Sequence, residues 1–318
     1  MKPNYPIALG AGLISAVVFA SATTGPFPVR MLLLALLAMP IALAGFSYNA
    51  KTAIAAALIG TGAVALVFKP AGILLFTLAV FPAAGLVYLA LLNREDEDGT
   101  KYWYPVGRLL LAAEIVAAAL VAIALLTLVG DMSELRTAVK AAVESVIAQG
   151  MSGLPTGAKL SDEQLTQTAD VMLILLPAAG ASMVLGSLLL ALWLGARVAR
   201  ASGTLVRPWP DIAAFSFPGG APLLLVISFL ATMVLTDKAQ LVALAFAGTF
   251  YTGYVLLGLA IAHYTTRGLA FRGALLAALY MVVLLVNSGA SLVLAIVGLA
   301  DSLYPFRRRN GGPPAPEA

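Results

Sequence analysis

Long apolar runs follow one another through almost all of the 318 residues, separated by short polar links. They cover 6–23, 29–48, 52–68, 71–92, 106–130, 169–195, 218–236 and 239–263, and a final apolar region covers 269–303. A helix needs roughly 17–25 apolar residues to cross the hydrocarbon core of a bilayer. The runs are rich in Leu, Ala and Val and show no alternation of period two, so they read as helices. Composition closes the alternative of a soluble fold. The chain is 61% hydrophobic and 11% charged, against about 25% charged residues in soluble domains. One water-soluble core could not hide that much apolar surface. Inside a bilayer only helices and closed barrels satisfy their own backbone. The fold class is therefore all-α, a polytopic transmembrane helix bundle of about eight to ten spans. Residues 1–305 form one transmembrane domain, which includes an external amphipathic segment at 131–168, and 306–318 form a flexible, cytoplasmic Gly/Pro-rich tail.

The region 269–303 is long for one span and short for two, and it contains the turn signal Asn287-Ser288-Gly289. Charge placement bears on the choice. With a cytoplasmic N-terminus and a hairpin of 270–287 and 289–303, only Arg30, Lys69, Arg136, Lys140, Lys159 and Lys238 lie outside, leaving 13 of the 19 Lys and Arg inside. A single helix would move Arg307, Arg308 and Arg309 outside and split the basic residues 10 to 9, which removes the positive-inside bias. The hairpin with both termini cytoplasmic is preferred, and a single long tilted helix stays open. At the N-terminus, Lys2, an apolar core and Ala20-Ser21-Ala22 have the form of a cleavable signal. An uncleaved first span is the preferred reading.

Two polar segments stand out. In 93–105 four acids, Glu95 to Asp98, precede Tyr102, Trp103 and Tyr104, rings suited to a membrane interface. The acids could bind a divalent cation; a solvated loop is the simpler reading. In 131–168, Asp131 and Glu134 suggest a helix cap, and Leu135, Val139, Ala142, Val143 and Val146 share one face. This predicts a short amphipathic helix on the outer membrane face or over the bundle. Ser161 and Gln164 form a second capping box, whose helix could run into the sixth span with Pro177 as a kink.

Glu114 is the candidate site residue of most weight. It lies in the fifth span, six residues past Arg108 and about 9 Å deeper. An ionisable group there costs a few kcal/mol and normally faces a partner or a wet cavity. It reads as a substrate, ion or proton site or as a structural hydrogen bond between helices. Asn287 and Ser288, with Ser291, would be a mid-membrane polar site in a single helix and turn residues in a hairpin. His263, the one histidine, sits beside Tyr264 and Arg267 as an interface residue. Arg197, Arg200 and Arg207 hold their loop inside and could contact anionic lipid. Small residues recur at helical spacing at Ala8, Gly12, Ala16 and Ala20, and again at Ala53, Ala57, Thr61 and Ala65, as close helix packing requires.

The absences narrow the chemistry. The chain has no cysteine and one histidine, which leaves no thiolate metal site and no Cys/His dyad. It has no Walker A sequence, zinc-protease motif or nucleophile elbow. The net charge of +4 comes from basic residues dispersed at span ends, so nucleic acid is not an expected partner. No enzymatic activity, metal or cofactor is expected.

The segment Gly298-Leu299-Ala300-Asp301-Ser302, followed by Phe306-Arg307-Arg308-Arg309, and the earlier Phe215-Ser216-Phe217-Pro218 resemble the uncharacterised bacterial membrane proteins of the YybS type. That family is distantly similar to the substrate-capture subunits of energy-coupling-factor vitamin transporters. The resemblance implies a multi-pass protein of the bacterial inner membrane that handles a small molecule. With no motor of its own it would need a partner ATPase, another partner membrane protein or an ion gradient. A non-catalytic scaffold for cell-envelope assembly is the alternative, acting through 93–108, 196–217 and the external helix.

Overall fold

The computed structural model describes residues 2–148, 161–286, 288–305 and 307. It is built from helices α1 (Tyr5–Thr24), α2 (Phe27–Leu36), α3 (Met39–Ser47), α4 (Ala50–Ala65), α5 (Pro70–Ala90), α6 (Val106–Leu128), α7 (Met132–Ala148), α8 (Asp162–Ala201), α9 (Ala221–Val234), α10 (Asp237–Thr265), α11 (Arg272–Val286) and α12 (Ser288–Leu303). Among the described residues six stretches are long and apolar enough to cross a membrane: α1, α2 with α3, α5, α6, α8 and α10. Shorter apolar helices fill 50–65, 221–234, 272–283 and 289–303. Each apolar run of the sequence is thus helical, and the protein is an all-α polytopic membrane bundle. Asn287, 149–160 and most of 306–318, the expected tail, lie outside the described residues.

The chain forms two compact units. The first comprises 1–113, 184–219 and 253–318; the second comprises 114–183 and 220–252.

In the first unit α1 and α4 lie parallel. Asn4 caps α1 by accepting from the Ile7 amide, and its own amide donates to Thr52 Oγ1 at 3.0 Å. Midway, Gly12 meets α4 so closely that a Cβ would come within 2.9 Å of the Gly60 nitrogen. At the far end the Phe19 ring meets Phe68 and Phe76 edge-on, at 5.2 and 5.5 Å. Lipid offers apolar side chains no drive to pair, so close backbone approach at small residues does the packing. The buried face of α1 is Ala8, Ala11, Gly12, Ser15, Phe19 and Ala22. That face is rotated from the expected stripe, and Ala16 and Ala20 fall at its margin. In α4 the expected Ala53 and Ala57 are buried, but Ala65 is exposed and Gly60 and Val64 take the inner positions.

The run 29–48 is two helices rather than one. Pro40 is in the first turn of α3; without an N–H it cannot bond back to the preceding turn, and its ring crowds the carbonyl four residues earlier. The segment 93–105 differs from the expected loop as well. It is a two-stranded antiparallel hairpin, β1 (Asn93–Glu95) with β2 (Lys101–Trp103), Arg94 opposite Tyr102. Gly99 makes the turn at φ +81°, a conformation open mainly to glycine. Three of the four acids are engaged locally: Glu95 pairs with Lys101, Asp96 with Arg94, and Asp98 accepts from the Thr100 amide.

The region 269–303 is two helices whose arms leave from and return to one end of α10. A short loop joins α10 to α11, and Tyr280 of α11 lies 2.9 Å from His263. Beyond α12, the Arg307 guanidinium lies 5.9 Å from the Tyr264 ring. The out-and-back path is the hairpin expected from charge placement.

In the second unit the capping box at Ser161 closes in both directions: the Ser161 amide donates to Gln164 Oε1 and the Gln164 amide to Ser161 Oγ. The helix it starts runs unbroken through Pro177 to Ala201, 40 residues or about 60 Å, twice the hydrocarbon thickness. α7 stands antiparallel to the first turns of α8 through Arg136–Asp170 and Lys140–Asp162. Val139 and Ile147 of α7 and Leu165 and Ala169 of α8 are buried. The amphipathic helix exists, and it pairs with the start of α8. Deeper, α8 and α10 touch where Gly248 meets Ala178, and Ser182 donates to the Gly248 carbonyl while Thr252 donates to Ser182.

Candidate functional site

α6 begins directly after Pro105, and Gly107 in its first turn approaches the Ser216 carbonyl too closely for any side chain. From that fixed start, positions 110, 113, 114, 117, 118 and 122 fall on one helical face. Leu110, Ala113, Ala117, Ala118 and Ala122 are all buried. Glu114 lies in that stripe and is 1% exposed, so it points into protein and away from lipid. Its Oε1 has no hydrogen-bond partner among the described residues. A carboxyl oxygen with neither a cation nor a donor is a costly thing to bury. Its neighbours on that helix face are chiefly alanines, Ala113, Ala117 and Ala118, which carry no polar group to satisfy it.

The other sequence candidates do not join it. Ser288 is the first residue of α12, in the other unit. Asn287 and the Ser288 side chain lie outside the described residues. His263 also lies in that other unit, its Nε2 2.9 Å from the Tyr280 hydroxyl. Among the described residues no three His, Cys, Asp or Glu side chains are grouped to hold a metal ion.

A second polar centre is one that sequence reasoning misses as chemistry. Asp301 and Arg307 form an ion pair with each side chain only 4% exposed. Arg307 Nε and Nη2 both donate to Asp301 Oδ2, at 2.9 and 2.6 Å. The same guanidinium donates to the carbonyls of Ala213 and Phe215. Nearby, Phe215 and Phe217 stack edge-on and Phe217 meets Tyr254, whose carbonyl faces Gly298. The segments around Phe215 and around Asp301, far apart in the chain, are therefore one buried cluster. Asp301 Oδ1 and Ser302 Oγ are buried within it with no hydrogen-bond partner among the described residues. The signal in the sequence is an acid in an apolar run six residues before an arginine.

Just outside the cluster, Arg267 binds Asp211 through both terminal nitrogens and lies over the Tyr264 ring at 4.9 Å. The Arg267 guanidinium holds the Asp211 carboxyl below the usual carboxylate range. Arg207 is buried and donates to the carbonyls of Ala90 and Tyr104. Burial pushes its guanidinium below the ordinary arginine value. These contacts fix the loop 202–219 against the ends of α5, α10 and α12.

Apolar helices in series, carboxyls buried within them and arginine-pinned loops define a multi-pass α-helical membrane protein. Residues 13–302 match the family described as "Predicted membrane protein (DUF2232)", and the chain belongs to that family. No curated protein and no solved structure matches it.

Proposed function

We propose that this protein resides in a bacterial cytoplasmic membrane, binds a small molecule between its helices and passes it inward, with Glu114 lining the cavity. The observation that carries this reading is the Glu114 carboxyl, 1% exposed and with one oxygen unpartnered among the described residues. A buried group with unmet hydrogen-bonding capacity is suited to a ligand or cation that completes it. Asn287 and Ser288 are further candidates for substrate contact. The likeness to YybS-type proteins, and through them to vitamin-capture subunits, favours capture and transport over catalysis. Lacking a nucleotide-binding motif, the protein draws on a partner ATPase or an ion gradient. Both termini are cytoplasmic in this reading, on the charge bias already described.

The test is thermal stability of the purified, detergent-solubilised protein against vitamins, nucleosides, lipid precursors and metal ions. A ligand that binds only the folded state stabilises it by about 2.7 kcal/mol at 100 times its Kd. The expected result is a hit that Glu114→Gln abolishes while the unliganded protein stays folded. A hit insensitive to Glu114→Gln would place the site elsewhere.

A scaffold role is the second reading. One observation favours it: α7 and the start of α8 carry exposed charged side chains and are joined by two ion pairs.

A further inference from the structure

The C-terminal end of α8 carries two arginines that enter no ion pair among the described residues. Arg197 and Arg200 are exposed, three residues apart on the last turns of the helix. Both guanidinia lie over one indole, that of Trp209, at 6.0 and 4.9 Å. Among the described residues neither has a carboxylate partner. Two unneutralised cations side by side repel one another, so an anion between them gains from both.

The indole is not a mobile platform. It sits between Pro208 and Pro210, two residues past Arg207. Arg207 is buried and bonded to two carbonyls, and the Val206 amide donates to the Phe46 carbonyl at 3.0 Å. The loop therefore presents Trp209 from a fixed position, and ring stacking holds both guanidinia there with their N–H edges free.

Below the arginines the same face turns apolar. Positions 190, 193, 197 and 200 are spaced three, four and three residues apart, which is one stripe of an α-helix. Leu190 is 37% exposed and Trp193 47% exposed. Gly186, a further turn down, has no neighbour within 4 Å of where a Cβ would stand. Leu190 lies about 15 Å along the axis from Arg200. The stripe thus offers a charged head and an apolar flank of the length and order of a phospholipid.

We infer that Arg197, Arg200 and Trp209 form a binding site for the phosphate headgroup of an anionic phospholipid whose acyl chain lies along Leu190 and Trp193. A zwitterionic lipid presents an ammonium group with its phosphate, which the paired arginines repel. The site discriminates by net headgroup charge. It is independent of any ligand at Glu114.

Trp193 and Trp209, both in the site, supply the readout once the third tryptophan is removed by Trp103→Phe. The full-length protein is reconstituted in vesicles of phosphatidylcholine, into which phosphatidylglycerol or phosphatidylcholine with brominated acyl chains is titrated, and tryptophan quenching is followed. A basic residue near a charged membrane surface contributes about 1 kcal/mol, or about fivefold. The two arginines predict a preference of roughly five- to thirtyfold for phosphatidylglycerol, falling with added salt. R197Q/R200Q brings the ratio to about one, whereas R197K/R200K, which keeps the charges and is the milder change, retains part of it. Equal quenching by both lipids with both arginines present, or a preference that survives R197Q/R200Q, overturns the proposal. Loss of the preference on adding millimolar inorganic phosphate at constant ionic strength would instead assign the arginines to free phosphate and also overturns the lipid site.

Discussion

Arg307→Met should be the most damaging single change at the edge of the bundle. Arg307 and Asp301 are both 4% exposed, and one Asp301 oxygen takes two bonds from the guanidinium. Removing one member of a buried ion pair costs about 3–5 kcal/mol, because the other charge is left without compensation. The carbonyls of Ala213 and Phe215 also lose their donor, at about 1 kcal/mol each. Part of this is recovered when the released loop regains water, so about 4 kcal/mol is expected. With roughly 2–4 °C of Tm per kcal/mol, the melting point in detergent falls by on the order of 10 °C. The double variant D301L/R307M replaces the pair with apolar groups. Buried pairs exchanged for well-packed apolar residues are often neutral, so only the carbonyl loss of about 1–2 kcal/mol is left. The double variant should therefore melt above the Arg307→Met single variant. Thermal unfolding followed by tryptophan fluorescence measures all three. An Arg307→Met protein that melts within about 2 °C of wild type, or a double variant that melts no higher than Arg307→Met, refutes the buried pair.

Acid should loosen the loop 202–219 through Asp211. The Arg267 contact depresses the folded-state pKa of Asp211, so its stabilisation is complete above the ordinary aspartate range and is lost as pH falls through the lower folded value. Both side chains are about half exposed, so the effect is small: proteolysis of the loop should rise below about pH 4, and Asp211→Asn should show that rise already near neutral pH. Gly258→Ala places a methyl against the backbone of Leu294, with 2.7 Å to its carbonyl carbon, and should cost about 1–3 kcal/mol or more. Gly62→Ala, with open space around it, should be neutral or stabilising by up to about 1 kcal/mol; equal melting of the two variants contradicts the packing described for α10 and α12. The native chain has no cysteine, so single cysteines report sidedness cleanly. In intact spheroplasts a membrane-impermeant maleimide should label Ala141→Cys on α7 and spare Glu97→Cys in the β-hairpin loop; the reverse pattern inverts the proposed orientation.

The spans are legible in the sequence because a run of apolar residues about 20 long has few stable fates, and Glu114 is legible because a charge within such a run is expensive. The Ser161–Gln164 box is equally plain, since both of its bonds are local. Which face of a span packs on protein is harder to read. Lipid and protein neighbours are alike apolar, so the stripe drawn through Ala16 and Ala20 misses the face through Ser15 and Phe19. Pro40 is visible, but a proline marks a helix start as readily as a kink, and only the surroundings choose. The Asp301–Arg307 centre depends on the carbonyls of Ala213 and Phe215, which lie 94 and 92 residues before Arg307. No local pattern encodes that meeting. The acidic run 95–98 draws attention to its charge, while Asp98-Gly99, a strong hairpin turn signal, lies at its end.

Binding of a small molecule at Glu114 requires that this position be reached by solutes and not sealed by packing. The direct measurement is the reaction rate of Glu114→Cys with a small methanethiosulfonate reagent in native membranes, beside Ala57→Cys, buried within α4, as the sealed control. A site that admits water and solute predicts modification of position 114 well above the control, slowed by a bound ligand. Reaction at position 114 no faster than at Ala57→Cys would make the carboxyl a packing element and contradict the account.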